Sequence, residues 1–263
     1  MTTTKLSGLS GPREAQLLEA VDLLLDARRT GNPIQDLPPA LAPTTEAEAF
    51  WIQGQLAESF GSIGGWKIGA PSADATPSFA PMPLAWMAPG GSKIKGHTSR
   101  YRGLEAEVAF LLGDNLPPRA TPYSRNEVIA AIASCHPAIE VLESGILDPG
   151  IVPTLNKIAD LQINGGFIYG PPCPEWRTVD FTQEQVVLAV DGSVRVERTG
   201  SNTAGDLLRL LPYLANEGAA RTGGLRAGQW ITTGSWTGNT LATASSSVDV
   251  HFSTIGRVTT RFE

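Results

Sequence analysis

The stretch "GLEAEVAFLL", residues 103–112, decides the fold predicted from this sequence, because it sets two glutamates into an apolar strand pattern. Side chains alternate between the two faces of a strand, so Glu105 and Glu107 point to one face while Ala106 and Val108 point to the other. An unpaired carboxylate is costly to withdraw from water. Either one face of this strand is in contact with solvent, or the two acids have a functional role.

The chain beyond residue 62 predicts more strands than helices. Asp191-Gly192 is typical of a hairpin turn between two of the strands. Two helices interrupt them, one beginning at Ser124 with Glu127 at capping-box spacing and one around 204–220. Because strands and helices do not alternate regularly, a doubly wound parallel sheet is disfavoured. The predicted strands are 104–112, 138–143, 166–169, 186–190, 194–198, 229–234, 247–253 and 257–262.

The first part of the chain predicts helices instead. Residues 12–29 carry leucines and a valine at helical spacing, and Thr45 with Glu48 begins a second helix. After Gly61 the sequence becomes rich in glycine. Residues 70–92 contain five prolines, which suggests an active-site loop. We therefore predict an α+β protein with a helical N-terminal segment over residues 1–61 and a β-rich catalytic domain over 62–263.

Composition excludes several classes of function. Twenty Lys and Arg against 26 Asp and Glu, without a basic cluster, disfavour nucleic acid and anionic membranes as partners. No window approaches the apolar length of a membrane span, and the N-terminus has no signal-peptide core, so a cytoplasmic location is expected. Cys135 and Cys173 lack CxxC spacing and are interpreted as packing residues.

A third acid, Glu140, lies inside another apolar run, "HPAIEVLES" at 136–144. If its strand meets the first, three carboxylates would repel one another unless they are protonated or bridged by a cation. All-oxygen ligation favours Mg²⁺ or Mn²⁺ over zinc. The alternative is that these glutamates lie on a solvated edge strand or at a rim.

Lys67 in "GGWKIGA" adds a positive charge. On a strand its neighbours Trp66 and Ile68 face the opposite way, so the ammonium can point where the glutamates point. Three carboxylates and one divalent cation sum to −1, which Lys67 would cancel. A solvated surface lysine remains the alternative.

Five segments together resemble one family. They are "GWKIG" at 65–69, "LEAEVAFLL" at 104–112, "HPAIEVLES" at 136–144, "IADLQINGGFIYG" at 158–170 and "GGLRAGQWITTGSWTG" at 223–238. In this order they resemble the 2-oxopent-4-enoate hydratase and 4-oxalocrotonate decarboxylase group of the fumarylacetoacetate hydrolase superfamily. The resemblance implies a mixed β-sheet roll with a helical N-terminal segment, assembled as a homo-oligomer.

The resemblance also implies site residues. It carries the divalent metal to Glu105, Glu107 and Glu140, and it makes Lys67 a catalytic residue that shuttles a proton or holds negative charge. The family commonly has a catalytic acid in the loop after the lysine motif, where this chain offers only Asp74.

Other positions bear on the substrate. Asn164 ends a segment, ADLQIN, that departs from the family's ADNAS, and Gly145 stands where the family often has an arginine. Asn164 and Ser235 are predicted to bind substrate, with a turn role as the alternative for Ser235. Among the histidines, His136 is expected to be structural, and His97 and His251 to be exposed or packing residues.

The implied function is a metal-dependent lyase that adds water to a 2-hydroxy-2,4-dienoate or 2-oxo-enoate in the degradation of aromatic ring-cleavage products. Decarboxylation of a 2-oxo diacid would use the same enolate chemistry. Carbon–carbon hydrolysis of an acylpyruvate would need a water-activating His-Glu pair, for which His97 is the only nearby histidine. A noncatalytic binding homologue is the alternative from a different class.

Overall fold

The computed structural model describes residues 11–94 and 100–263. The helices are α1 (Pro12–Thr30), α2 (Glu46–Glu58), α3 (Arg125–Ala130), α4 (Thr154–Ala159), α5 (Leu210–Asn216) and α6 (Ala219–Thr222). The strands are β1 (Ile63–Gly69), β2 (Ser78–Pro83), β3 (Met87–Pro89), β4 (Lys93–Ile94), β5 (Gly103–Leu112), β6 (Ile132–Leu142), β7 (Asn164–Tyr169), β8 (Gln185–Val190), β9 (Ser193–Thr199), β10 (Trp230–Ser235), β11 (Thr240–Leu241), β12 (Ser247–Phe252) and β13 (Gly256–Phe262).

These strands form two mixed sheets. The larger has the order β2-β1-β10-β5-β6-β7-β3, with β11 added beside β5, and the smaller has the order β4-β13-β12-β8-β9. The pairs β1/β10, β3/β7 and β4/β13 are parallel, and the other pairs are antiparallel. Strand β5, which carries Glu105 and Glu107, is therefore in the middle of the large sheet and not at an edge.

The main core fills the space between the two sheets. Val108 and Ile139 of the large sheet and Leu188 and Val250 of the small sheet all belong to it, and all are fully buried. Alternation along β5 then leaves Glu105 and Glu107 on the opposite face of the large sheet. The two sheets thus fix which face of the large sheet carries the acids.

The N-terminal helices form a second core with the chain between β6 and β7. Leu24 of α1 and Ile52 of α2 are fully buried and pack in one cluster with Ile146 and Leu161. Helix α2 ends at Glu58 and β1 begins at Ile63, so the predicted boundary at residue 62 falls between a helix and a strand. The division into two domains stays a prediction.

Several local predictions are confirmed. The Thr45 side chain accepts a hydrogen bond from the Glu48 amide at 3.2 Å, and Ser124 and Glu127 form a complete capping box. Asp191 and Gly192 both have positive φ, 52° and 75°, in the turn between β8 and β9, as that type of hairpin requires.

Other local predictions are wrong. The proline-rich stretch 70–92 is not one loop, because β2 and β3 lie inside it; their prolines fit since β2 and β3 are the outermost strands of the large sheet. Helix 204–220 is broken into a 3-10 turn, α5 and α6. Strand β6 begins six residues before the predicted residue 138, because Pro137 is accommodated within it.

The glycines of β1 permit a close approach of two backbones. A Cβ at Gly65 would lie 2.2 Å from the carbonyl oxygen of Trp230, and one at Gly64 would lie 2.6 Å from the sulfur of Met87. Strand β1 can therefore pair with β10 at this register only if residue 65 lacks a side chain.

No helix within the described ranges is long and apolar enough to cross a membrane.

We expect Gly65→Ala to lower the free energy of unfolding by about 1–3 kcal/mol, because the added methyl group overlaps the Trp230 carbonyl. Gly54→Ala is the matched control: it lies inside α2, a Cβ there meets nothing within 4 Å, and the helix should gain about 0.5–1 kcal/mol. Urea denaturation of both variants measures the difference. Equal stability of the two would contradict this account of β1.

Candidate metal centre

Pairing of β5 with β6 brings the three glutamates together. Glu105 is directly opposite Glu140 across the two strands, and Glu107 lies opposite Ala138, the next position on that face. One carboxylate oxygen from each glutamate lies within 4.8 Å of the others. Glu140 and Glu107 are 0% and 1% exposed, which rules out the solvated edge-strand interpretation.

Lys67 faces the glutamates, as strand alternation predicted. In the register of the sheet, Lys67 is opposite Thr232 of β10, and Thr232 is opposite Ala109 of β5. The Lys67 Nζ lies 2.6 Å from Glu140 Oε1 and donates a second hydrogen bond to the Gln162 carbonyl oxygen at 3.1 Å. The interpretation of Lys67 as a solvated surface residue is therefore excluded.

Glu107 is held by a bulge in β10. Its Oε2 accepts hydrogen bonds from the Thr232 hydroxyl and, at 3.0 Å, from the amide of Gly234. The pairing of β10 with β5 shifts register between Thr232 and Ser235, and Gly234 has φ +85° there. The bulge turns a backbone N–H toward the carboxylate, which a regular ladder would not do.

Glu140 retains one unused oxygen. Its Oε1 accepts from Lys67 and, at 2.8 Å, from the Asn164 side-chain amide. Its Oε2 and the Oδ1 of Asn164 are buried and have no hydrogen-bond partner among the described residues. Buried acceptors without a donor are uncommon in folded proteins, so these two oxygens are available to a ligand.

The pKa values reflect crowded negative charge. Burial, followed by the charge of Glu140, raises the pKa of Glu105 to about 7, although Lys67 and a hydrogen bond from Ser235 act against the shift. Burial and the charges of Glu140 and Glu105 raise the pKa of Glu107 well above its ordinary value. Without a cation, the cluster therefore binds protons more tightly than separate glutamates would.

Lys67 shows the opposite balance. Burial alone would lower the pKa of its ammonium, but the charges of Glu140 and Glu105, the hydrogen bond to Glu140 and the charge of Glu107 outweigh burial and raise it. The lysine is therefore protonated in the neutral range when only the protein's own groups surround it.

These residues fit a hard divalent cation. Three carboxylates offer oxygen ligands at one point, and one of their oxygens is buried without a partner. Burial and mutual repulsion raise the pKa values of Glu105 and Glu107, and a cation would offset that repulsion. Oxygen-only ligation is the preference of Mg²⁺ and Ca²⁺.

Of the other predicted site residues, Asn164 and Ser235 contact the glutamates and Asp74 does not. Asn164 donates a hydrogen bond to Glu140. The Ser235 hydroxyl donates to Glu105 and accepts from the amide of Gly238 at 2.9 Å. Asp74 is exposed, and its carboxyl makes no hydrogen bond or ion pair among the described residues. The structure does not bring Asp74 into the glutamate cluster. Arg209 donates hydrogen bonds to the carbonyls of Ser72 and Ala75, on either side of Asp74.

The two histidines that the structure describes, His136 and His251, lie apart from the glutamates. His136 is 6% exposed, with Nδ1 bonded to the Gly170 carbonyl and Nε2 to the Ser134 hydroxyl, both at 2.8 Å. Burial lowers its pKa, which suits a structural residue. His251 is exposed, and His97 lies outside the described residues.

Two residues in contact with the site were not singled out from the sequence. Thr232 could have been found, because it shares the parity of Trp230 along β10 and faces the acids once the sheet order is known. Gln162 could not have been found, because its contact with Lys67 is through the backbone carbonyl.

A large open cleft lies elsewhere along the same face of the sheet. It measures about 990 Å³, and its lining includes His136, Tyr169, Trp230 and Arg257 but none of the three glutamates. Trp230 and Tyr169 stack at 4.4 Å between ring centroids. Since chemistry depends on reactive groups and not on volume, we place the candidate site at the glutamates.

Comparison with known proteins gives one curated relative and many similar structures. No family model matches the chain. A 2-keto-4-pentenoate hydratase from Burkholderia vietnamiensis is 29% identical over 159 residues, which cover 60% of each chain. The match thus spans about three-fifths of that relative's length.

Two solved structures of 4-oxalocrotonate decarboxylase from Pseudomonas putida G7 cover 97% of this chain and 99% of their own. One, complexed with magnesium and adipate, has TM-score 0.81 at 24% identity, and the other, with calcium and acetate, has TM-score 0.80 at 25% identity. A 2-hydroxyhepta-2,4-diene-1,7-dioate isomerase from Mycobacterium marinum covers 75% of this chain and 74% of its own, with TM-score 0.58 at 16% identity. These comparisons confirm the α+β fold and the resemblance to 2-keto-4-pentenoate hydratase and 4-oxalocrotonate decarboxylase.

Proposed function

We propose that this protein is a divalent-metal-dependent lyase that adds water to a 2-hydroxy-2,4-dienoate or 2-oxo-enoate. One observation carries the proposal: three glutamates, two of them almost fully buried, converge on one point, with an ammonium beside them. The hydratase relative and the metal-bound decarboxylase structures support the same chemistry.

Glu105, Glu107 and Glu140 would hold the cation, Mg²⁺ or Mn²⁺. A bound divalent cation supplies Lewis acidity, which stabilises negative charge developing on a 2-oxo oxygen. Because the cluster and Lys67 are nearly neutral together with a divalent cation, the site accepts a substrate carboxylate without a large electrostatic penalty.

Lys67 would donate a hydrogen bond or a proton from its Nζ to the substrate. It is protonated in the neutral range, so its resting role is to donate a hydrogen bond or a proton to substrate. The positive charge of a cation opposes the glutamates and lowers the lysine pKa toward the range where a proton can be exchanged.

Asn164 and Ser235 would bind substrate. The unpaired Oδ1 of Asn164 can accept from a substrate hydroxyl or an ordered water. Ser235 reaches Glu105 and can hold the orientation of that carboxylate. Asp74 is assigned no step, because it does not reach this group of residues.

Decarboxylation of a 2-oxo diacid is the second candidate. The likeness to the decarboxylase structures over nearly the whole chain favours it, and it needs the same stabilised enolate. Acylpyruvate hydrolysis is the third candidate: both ring nitrogens of His136 are engaged, and His97, the histidine predicted for this reaction, lies outside the described residues. The homo-oligomeric assembly and the cytoplasmic location stay predictions.

Purified protein with Mg²⁺ or Mn²⁺ should deplete the ultraviolet absorbance of a 2-hydroxydienoate, and a chelator should abolish this. Glu140→Gln should lose the activity, because it removes a ligand charge, while the exposed control Glu197→Gln should keep it. Carbon dioxide released from a 2-oxo diacid would identify the decarboxylase instead. No turnover across a panel of both substrate classes would leave only a binding homologue.

We expect Lys67→Met to lower kcat by roughly 10²–10⁴-fold, the usual contribution of a positioned acid or base. Metal affinity should be retained or increased, because the variant removes a competing positive charge from Glu140. The control is Lys93→Met, whose side chain is 66% exposed. Steady-state kinetics and calorimetric titration with Mn²⁺ distinguish the two effects; equal loss of both would point to misfolding.

The metal-free protein should lose stability as pH rises from about 4.5 through about 7, because folding raises the pKa of Glu105 and the folded state then holds the proton longer. Glu107 acts in the same direction, and Lys67 titrates above this window. Melting temperatures with chelator should fall from pH 5.5 to 8.5, and Mg²⁺ should stabilise most at the upper end. An unchanged slope in Glu105→Gln would contradict the assignment.

A further inference from the structure

Three consecutive residues between α4 and β7 have left-handed backbones. Leu161, Gln162 and Ile163 have φ of 55°, 50° and 58°, and none is glycine. Such residues are disfavoured, most of all a β-branched one, and persist only where surrounding contacts impose them. We call residues 160–164 the left-handed turn.

The left-handed turn touches both members of the Lys67–Glu140 pair. The Gln162 carbonyl accepts from Lys67 Nζ at 3.1 Å, and the Asn164 amide donates to Glu140 Oε1 at 2.8 Å. The Gln162 side chain anchors the turn to β2 by donating to the Ser78 hydroxyl at 2.6 Å. A relaxed turn would withdraw an acceptor from the lysine and a donor from the glutamate.

Arg28 of α1 donates hydrogen bonds to both ends of this turn. Its Nε donates to Asp160 Oδ1 at 2.5 Å, and its terminal nitrogens donate to the carbonyls of Asp160 at 2.9 Å, Asn164 at 2.9 Å and Glu143 at 3.0 Å. The residue is 7% exposed. The planar guanidinium suits this task, because a lysine cannot direct donors to several acceptors at fixed angles.

Helix α1 comes this close because residue 145 is glycine. A Cβ there would lie 3.3 Å from the Ala27 Cβ and 3.4 Å from the Arg28 Cγ. The Gly145 amide and the Ser144 hydroxyl occupy the second oxygen of Asp160, at 2.9 and 2.6 Å. Asp160 is thereby fixed from both sides.

We propose that Arg28 is a positioning residue: from the N-terminal helix it holds the left-handed turn, and through that turn it places Lys67 and Glu140. The effect on turnover rests on the proposed function, whereas the placement of the two side chains does not.

The experiment compares two changes at Arg28 with two controls on the same helix. Arg28→Lys keeps a charge for Asp160 but not the array of donors, and Arg28→Met combined with Asp160→Asn removes both buried charges, so one variant can fold if the other does not. Leu17→Ala removes a fully buried side chain of α1 about three helical turns before Arg28, so it destabilises the protein at a distance from the turn. Arg29→Met changes the neighbouring arginine, which is exposed.

Trace acetylation at fixed pH in metal-free protein, read by mass spectrometry, reports Lys67 against the exposed Lys93 of the same molecule. We expect Lys67 labelling to rise several-fold in the Arg28 variants and to stay at the wild-type ratio in both controls. Mn²⁺ affinity, measured by calorimetry without substrate, should fall by about 10-fold or more, as changes behind metal ligands usually cause.

Wild-type labelling of Lys67 in a folded Arg28 variant, or an equal rise in Leu17→Ala, would overturn the proposal. Its failure is separable from that of the proposed function. A wild-type protein that binds no Mn²⁺ or converts no 2-oxo acid would overturn the function, while the acetylation ratios would still decide the role of Arg28.

Discussion

The withdrawal of three carboxylates from water on one face of a central strand is the constraint on which the rest of the structure depends. Two of the three glutamates are almost completely buried, and burial is the main reason that Glu105 and Glu107 hold their protons so tightly. The surrounding contacts reduce this cost: the lysine from β1, the hydroxyl and bulged amide from β10, and the amide of Asn164. These four contacts come from three different strands, so the large sheet and the site depend on one another.

Much of this site could be predicted from the sequence because strand alternation is a local property. Parity along 103–112 placed Glu105 and Glu107 on one face, and parity around residue 67 aimed the lysine. The pairing of β5 with β6 could only be assumed, since register depends on contacts between distant segments. Resemblance to a known family implied that the three glutamates bind one metal, and the structure brings their carboxylates together by pairing β5 with β6.

What could not be predicted depends on backbone geometry. The left-handed turn is formed by the fold around it, and nothing in "ADLQIN" specifies it. Gly234 in "WITTGS" permits a bulge but does not fix its place in the pairing. Arg28 stands in an ordinary polar helix end, and its role follows only from where α1 packs. Asp74 has the residue type that the family commonly has in this loop, yet it is exposed, and its catalytic role stays a prediction.

The parallel pairing of β1 with β10 also bears on how the protein is made. Lys67 is placed by a strand whose partner, residues 230–232, emerges from the ribosome only after most of the chain has been synthesised. Long-range pairings of this kind form slowly, because closing a large loop costs conformational entropy before the paired strands gain any stabilising contacts. A nascent chain therefore carries its acids long before their lysine is in place, and a truncated product would expose them as a loose anionic cluster.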